Sequence, residues 1–155
     1  MSNNKKNQAS NATTIAGAIY YEDATELAAL IRTKQLSSRE VVHAYLDRIA
    51  AVNPKVNAIV TLMAEDVLKS SDAADKAVAS GAALGPLHGV PFTIKDAIDT
   101  AGVLTQRGSK IFAGNIPTKD ATAVTRFKDA GAIPLAKTNL PEFSAWQETD
   151  NLVTG

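Results

Sequence analysis

Apolar residues recur at helical spacing near the start of the chain. Those within residues 27–31 fall on one face of a helix, and Asp23 with Glu26 stands in front of them. Such a pair is typical of a helix N-terminus, because the first side chain accepts hydrogen bonds from unpaired backbone N–H groups. The pattern predicts a short amphipathic helix that continues to about Lys34.

The second helical pattern is the clearest in the sequence. Ser37 and Glu40 repeat the capping arrangement, and an apolar stripe then runs from residue 41 to residue 52. Proline disfavours helical geometry in the residue before it, so this helix is expected to stop near Asn53-Pro54.

Two further elements follow before the composition changes. The apolar run 56–63 predicts a strand or an extended connection, and the alanine-rich run 64–80 predicts a helix that closes at Gly81. None of these elements carries residues that suggest chemistry, so the first eighty residues are interpreted as scaffold.

After Gly81, glycines and prolines separate short apolar runs, as in α/β proteins. Residues 90–94 predict a strand, residues 120–130 a helix capped by Asp120 with Phe127 facing inward, and residues 132–136 another strand. This order resembles a βαβ unit and predicts a parallel strand pair. The fold class expected from the pattern is α/β.

The first residues differ from the rest. Residues 2–14 are polar and offer no apolar anchor against the entropy of ordering them, so residues 1–19 are expected to form a disordered tail and residues 20–155 the folded part. No continuous apolar segment follows the basic start, which argues against a secretion signal.

Composition and charge exclude several functions. Lys+Arg 16 balance Asp+Glu 16, so a strongly cationic nucleic-acid binder is not expected. The lack of cysteine excludes disulfides, thiolate metal sites and thiol nucleophiles, and it favours a cytoplasmic location. No apolar run has the roughly 20 residues of a membrane span, so no membrane partner is expected.

Lys95 is the most suggestive residue for catalysis. Alternation along the strand puts Ile94 and Lys95 on opposite faces, and strand ends are where α/β folds hold their sites. A lysine that loses hydration there can serve as a base. The alternative is a surface ion pair between Lys95 and the neighbouring Asp96.

The histidines do not suggest a site. His43 lies among charged positions of the second helix, and His88 lies in a loop where a backbone contact would satisfy it. No His, Asp and Glu cluster has the spacing of metal ligands, and Gly85–Gly89 lacks the residue order of a phosphate-binding loop. We expect neither a metal nor an organic cofactor.

Several motifs follow one another in order: Gly85–Asp96, Gly108-Ser109, Asp120–Val124, Ala130–Ala132 and Lys137–Phe143. Taken together, they closely resemble the amidase signature family. The segments Leu140–Trp146 and Thr149–Gly155 favour a general amidase over the A component of a tRNA-dependent amidotransferase. The resemblance covers nearly everything after the tail and implies N-terminal helices followed by part of a mixed β-sheet flanked by helices, an incomplete amidase signature fold.

The resemblance implies hydrolysis of the C–N bond of a small carboxylic amide by a serine nucleophile, a relaying serine in a cis peptide and a lysine base, which here is Lys95. It places both serines in a Gly/Ser-rich segment downstream of Gly155, so the isolated piece is expected to be inactive. The segment 137–139 is expected to support the lysine strand, and Phe143 and Trp146 are expected in the core.

Two alternative functions have less support. A noncatalytic interaction module of the same fold would self-associate through an exposed sheet edge. A nucleotide-binding α/β module ranks lower, because the chain has no glycine fingerprint for a dinucleotide.

Overall fold

The computed structural model describes residues 19–155, so residues 1–18 of the predicted tail lie outside the described part. Ile19, which the sequence assigned to that tail, is buried with 3% of its surface exposed and packs in one apolar cluster with Leu27 and Ile31. It opens a short 3-10 turn, Ile19–Tyr21. The packed structure therefore includes this residue.

The first two helices begin where the capping patterns predicted. Helix α1 spans Ala24–Arg32, and the carboxylate of Asp23 accepts hydrogen bonds from two N–H groups of its first turn. Helix α2 spans Ser38–Val56, and Ser37 and Glu40 form a reciprocal capping box in front of it. Both predicted starts are confirmed. They could be predicted because capping depends on residues within one turn of each other.

The predicted end of α2 is wrong. The helix continues through Pro54, and Asn57 ends it in the left-handed conformation with φ 48°. The side chain of Asn53 exchanges two hydrogen bonds with the backbone of Ile59, at 2.9 and 2.8 Å. These bonds connect the last turn of the helix to the following strand. The prediction from the local effect of proline did not include this contact.

Strand β1 spans Ile59–Leu62, and helix α3 spans Ala64–Ser80. Helix α3 packs against α2 and also caps it, because the carboxylate of Asp75 accepts hydrogen bonds from the N–H groups of Ser38 at 2.7 Å and Arg39 at 3.1 Å. A negative charge at the start of a helix is favourable, so this contact fixes one helix on the other.

Three strands form a mixed sheet in the order β1-β3-β2. Strand β2 spans Pro91–Lys95, helix α4 spans Thr122–Asp129, and strand β3 spans Ile133–Thr138. Strand β2 pairs parallel with β3, and β1 pairs antiparallel with β3. The predicted α/β class and the parallel pair are confirmed, and Lys95 is the last residue of its strand.

The core lies between the helices and the central strand. Helices α2 and α3 contact each other, and α3 contacts β3, so the side chains on that face of β3 are covered. The buried residues of this cluster are Val42, Val67, Ala74, Ile133, Leu135 and Ala136.

Two expectations about α4 are wrong. Asp120 does not cap the helix, since its carboxylate accepts the N–H of Ala101 and pairs with Lys128 at 2.6 Å. Phe127 does not face a closed core. It is 45% exposed and stacks on Phe92 of β2, with ring centroids 5.0 Å apart.

The aromatic residues near the C-terminus are not in the core, contrary to expectation. Phe143 is 47% exposed and Trp146 is 72% exposed. Hydrogen bonds hold the last segment instead, since the side-chain amide of Asn151 reaches the carbonyl of Leu140 and the side chain of Asn139. Polar contacts therefore order this segment without burying its aromatic rings.

Candidate active site

Lys95 lies at the carboxyl end of β2 and points away from the buried side of the strand. Ile94 is 3% exposed, whereas Lys95 is exposed. In the parallel register, Lys95 lies beside Thr138 of β3, and the N–H of Asp96 donates to the Thr138 carbonyl at 3.0 Å. The predicted alternation is confirmed, and the backbone on both sides of Lys95 is held by the sheet.

The alternative of an ion pair between Lys95 and Asp96 is wrong. Asp96 is 1% exposed and turns inward, where its Oδ1 lies 3.8 Å from the Nζ of Lys137. Within residues 19–155, Lys95 forms neither an ion pair nor a side-chain hydrogen bond. None of the described residues therefore engages its amine at this end of the sheet.

The structure reveals a second lysine beside the first. Lys137 of β3 is fully buried, and the parallel register places it next to Ile94, so it lies on the opposite face from Lys95. Sequence reasoning assigned the segment 137–139 a supporting place beside the lysine strand, but it gave no sign that Lys137 is buried.

Burial and charge act in opposite directions on this pair. Burial lowers the pKa of Lys137, while the Asp96 carboxylate opposes that shift. Burial raises the pKa of Asp96, and the backbone N–H groups of Gln106 and Arg107 together with the charge of Lys137 oppose it. Each group thus supports the charged form of the other.

Hydrogen bonds to the side chain of Asp96 bring the far end of the following loop back to the end of β2. The Oδ2 of Asp96 accepts the N–H groups of Gln106 at 2.8 Å and Arg107 at 3.0 Å. The guanidinium of Arg107 then pairs with Asp99 at 2.9 Å. This loop is therefore closed on the residue that directly follows Lys95.

A serine joins this loop to the turn after β3. Ser109 is fully buried, and its Oγ donates to the Glu142 carboxylate at 2.6 Å. In the same place, the N–H of Phe143 donates to the carbonyl of Arg107 at 2.9 Å. Ser109 thus forms a structural bond that joins the loop to the turn after β3.

The last residues also reach the edge where Lys95 lies. Asn139 directly follows β3, and its side-chain amide donates to the carbonyls of Gly155 at 2.9 Å and Asn57 at 3.1 Å. The segment 139–155 therefore folds back beside the carboxyl end of β3.

The two histidines lie in the surroundings that the sequence predicts for them. His43 is exposed on α2, and the Nε2 of His88 lies 3.0 Å from the carbonyl of Ala74.

In the part of the chain that the structure describes, no three acidic or histidine side chains are grouped as metal ligands. Among the same residues, no helix has both the length and the apolar character needed to cross a bilayer.

Comparison with known proteins agrees with this arrangement. A family model described as Amidase matches residues 40–155. The chain therefore belongs to the amidase family, as the signature motifs predicted.

Two curated relatives show the range of activities within the family. The chain is 46% identical to the A component of the glutamyl-tRNA(Gln) amidotransferase of Acidothermus cellulolyticus over 132 residues, which are 85% of this chain and 26% of that protein. It is 42% identical to an acylamidase of Rhodococcus erythropolis over 137 residues, 88% of this chain and 29% of that protein. The chain thus spans about a quarter of the length of these relatives.

Solved structures share the same fold. A fatty acid amide hydrolase superposes with a TM-score of 0.85 at 28% identity, over 90% of this chain and 25% of that one. The native peptide amidase from Stenotrophomonas maltophilia superposes with a TM-score of 0.74 at 38% identity, over 83% of this chain and 27% of that one. The mixed sheet with its flanking helices is therefore an arrangement that solved amidases contain.

Proposed function

We propose that this sequence supplies the lysine base of a general amidase that hydrolyses the C–N bond of a small carboxylic amide. The observation that carries the proposal is the place of Lys95, exposed and unpaired within residues 19–155 at the carboxyl end of β2. Relatives named for amide hydrolysis, an acylamidase and an indoleacetamide hydrolase, support the reaction class.

The mechanism needs a neutral lysine and two serines. The amine of Lys95 removes a proton from the relaying serine, which takes the proton of the nucleophilic serine as that oxygen attacks the amide carbon. Backbone N–H groups stabilise the resulting oxyanion. The C–N bond then breaks, the amine leaves with the transferred proton, and water hydrolyses the acyl-enzyme ester by the same proton route.

In this proposal the 155 residues alone do not turn over an amide. Both serines come from a Gly/Ser-rich segment that the family places after the position of Gly155, and no serine of the described residues hydrogen-bonds to Lys95. Ser109 is engaged with Glu142, and Ser38 with Gly89. Among residues 19–155, Lys95 therefore has no serine to activate. We place the protein in the cytoplasm, without a metal or an organic cofactor.

The first test is the coding sequence past Gly155, which is expected to continue into a Gly/Ser-rich segment with two serines. In the full polypeptide, Lys95→Ala is expected to lower kcat for small primary amides roughly 10²- to 10⁴-fold, the contribution of a general base. The matched control is Lys76→Ala, which removes an exposed lysine of α3 and is expected to leave kcat unchanged. Full activity of Lys95→Ala contradicts the assignment.

A second function, a noncatalytic interaction module, has one specific observation in its favour. Strand β2 has a single neighbour in the described sheet. Large apolar side chains that follow β2 in the chain are exposed, among them Ile111 at 81%, Trp146 at 72% and Leu152 at 82%. Such surfaces favour self-association. Sedimentation of the 155-residue chain as a compact monomer that binds no hydrophobic dye would count against this function.

A further inference from the structure

Two lysines lie near the carboxyl ends of β2 and β3, on opposite faces of the sheet. Lys95 is exposed, whereas Lys137 is fully buried beside Ile94. An ionised amine is costly to remove from water unless its donors and its charge are both satisfied. The surroundings of Lys137 therefore have to provide acceptors and a countercharge.

The acceptors match a protonated amine. An ammonium group has three N–H donors, and Lys137 Nζ donates to the carbonyl of Ile98, to the Oγ1 of Thr105 at 2.9 Å and to the Oγ1 of Thr100 at 3.3 Å. Each threonine hydroxyl gives its own proton to a loop carbonyl, Thr105 to Val103 and Thr100 to Ile98. Both hydroxyls are therefore fixed as acceptors for Lys137.

The countercharge is also in place. The Oδ1 of Asp96 lies 3.8 Å from the Nζ of Lys137 and has no hydrogen-bond partner within residues 19–155. Its other oxygen holds the returning end of the loop, at Gln106 and Arg107. Lys137 thus carries the only positive charge within ion-pair distance of this carboxylate in the described chain.

All of these partners belong to the loop that begins at Lys95. The acceptors lie between Ile98 and Thr105, and the N–H of Ile98 donates back to the carbonyl of Lys95 at 2.9 Å. The Lys137 side chain therefore draws the loop onto β3 at the point where the loop leaves Lys95. Rigid backbone on either side of a base keeps its amine in reacting geometry.

We propose that Lys137 is a positioning residue for Lys95: it binds the loop 98–105 across the end of the sheet and thereby fixes the backbone from which the Lys95 amine extends. This inference rests on the proposed function of Lys95. Burial lowers the pKa of Lys137 and raises the pKa of Asp96, and the charge of each group opposes the shift of the other.

The first experiment measures kcat and KM of the full polypeptide for a small primary amide. Lys137→Met is expected to lower kcat roughly 10- to 100-fold, as small displacements of catalytic groups do, while KM stays within about twofold. The matched control is Lys76→Met, which removes an exposed lysine of α3 and is expected to leave kcat within about twofold.

If Lys137→Met does not fold, two smaller substitutions at Thr105 still test the proposal. Thr105→Val keeps the shape of the side chain but removes an acceptor of Lys137, and it is expected to lower kcat several-fold. Thr105→Ser keeps the hydroxyl and is expected to restore most of the rate. Equal rates for Thr105→Val and Thr105→Ser, with both variants folded, would overturn the proposal.

Hydrogen exchange on the 155-residue chain measures the positioning itself. The amides of Asp96 and Ile98 donate to the sheet and to Lys95, so they are expected to exchange faster in Thr105→Val than in Thr105→Ser. Loss of activity in Lys95→Ala with normal activity in Lys137→Met refutes this inference alone. Full activity in Lys95→Ala refutes the proposed function and the inference with it.

Discussion

The buried hydroxyl of Ser38 donates to the carbonyl of Gly89 at 2.6 Å. Ser38 is the first residue of α2, and Gly89 lies just before β2, so this bond joins the helical half of the molecule to the strand that carries Lys95. Asp75 of α3 holds the N–H of the same serine. One residue thus connects two helices with the start of the lysine strand.

Replacing this hydroxyl is expected to weaken the fold. Ser38→Ala leaves the Gly89 carbonyl buried without its donor, and we expect a loss of about 1–3 kcal/mol in the free energy of unfolding, measured by urea denaturation. Ser80→Ala is the control, because that hydroxyl donates to a helix carbonyl at an exposed position and is expected to change stability little. Equal effects of the two substitutions would contradict the connecting role.

The packing around Gly85, in the first signature motif, leaves no room for a side chain. A Cβ at Gly85 would lie 2.3 Å from the carbonyl oxygen of Ala130, so the loop before β2 and the end of α4 would have to separate. Gly85→Ala is expected to cost about 1–3 kcal/mol or more of unfolding free energy.

The control for this substitution is Gly81→Asn. Gly81 ends α3 with φ 72° and faces open space, and asparagine tolerates the left-handed conformation. We expect only a small change in the urea midpoint. A Gly85→Ala protein as stable as the unchanged chain would show that these two segments do not approach so closely.

Asp120 is expected to make stability depend on pH in the acid range. Burial raises the pKa of this carboxyl, but the hydrogen bonds from Lys128 and from the N–H of Ala101 outweigh it and hold the pKa below its usual value of 3.8. The unfolded chain therefore takes up the proton first as pH falls, so the stabilisation is complete above about pH 5 and is lost as pH falls through the folded pKa.

The measurement compares urea midpoints of Asp120→Asn and the unchanged chain. We expect the variant to be less stable at pH 7 and the difference to shrink toward pH 3. Asp129→Asn, at an exposed position of α4, is the control and should match the unchanged chain at pH 7. A difference for Asp120→Asn that grows as pH falls would have the wrong sign for this contact.

Trp146 is the single tryptophan of the sequence, so its fluorescence reports one site. With 72% of its surface exposed, we expect emission typical of a hydrated indole and strong quenching by acrylamide in the monomeric chain. Self-association through this surface would shift the emission to shorter wavelength as concentration rises. Emission from a buried indole in a dilute monomer would contradict the structure of the last segment.

Much of the local structure could be predicted because its causes lie close together in the chain. Capping by Asp23 and by Ser37 with Glu40 involves neighbours within one turn, and strand alternation alone placed Lys95 opposite Ile94. The parallel pair of β2 and β3 followed from the order of elements. The signature motifs predicted the family, and the family model confirmed it.

The site around Lys95 could be predicted only in part. The sequence singled out Lys95 but offered Asp96, its neighbour in the chain, as a possible partner. In the structure Asp96 turns to Lys137, because two residues along a strand return to the same face and the register sets Lys137 beside Ile94. No local pattern distinguishes that buried lysine from an exposed one.

The sequence by itself thus determined where α1 and α2 begin, which way strand residues alternate and which family's motifs the chain carries, since these depend on short-range geometry and residue order. Only the tertiary structure decided that Lys137 is buried, that Ser109 is bound to Glu142 and that Trp146 stays exposed. Burial depends on which distant segments of the chain come into contact. Here those contacts are set by the register of β3 against β2 and by the last residues, which fold back to the end of the sheet.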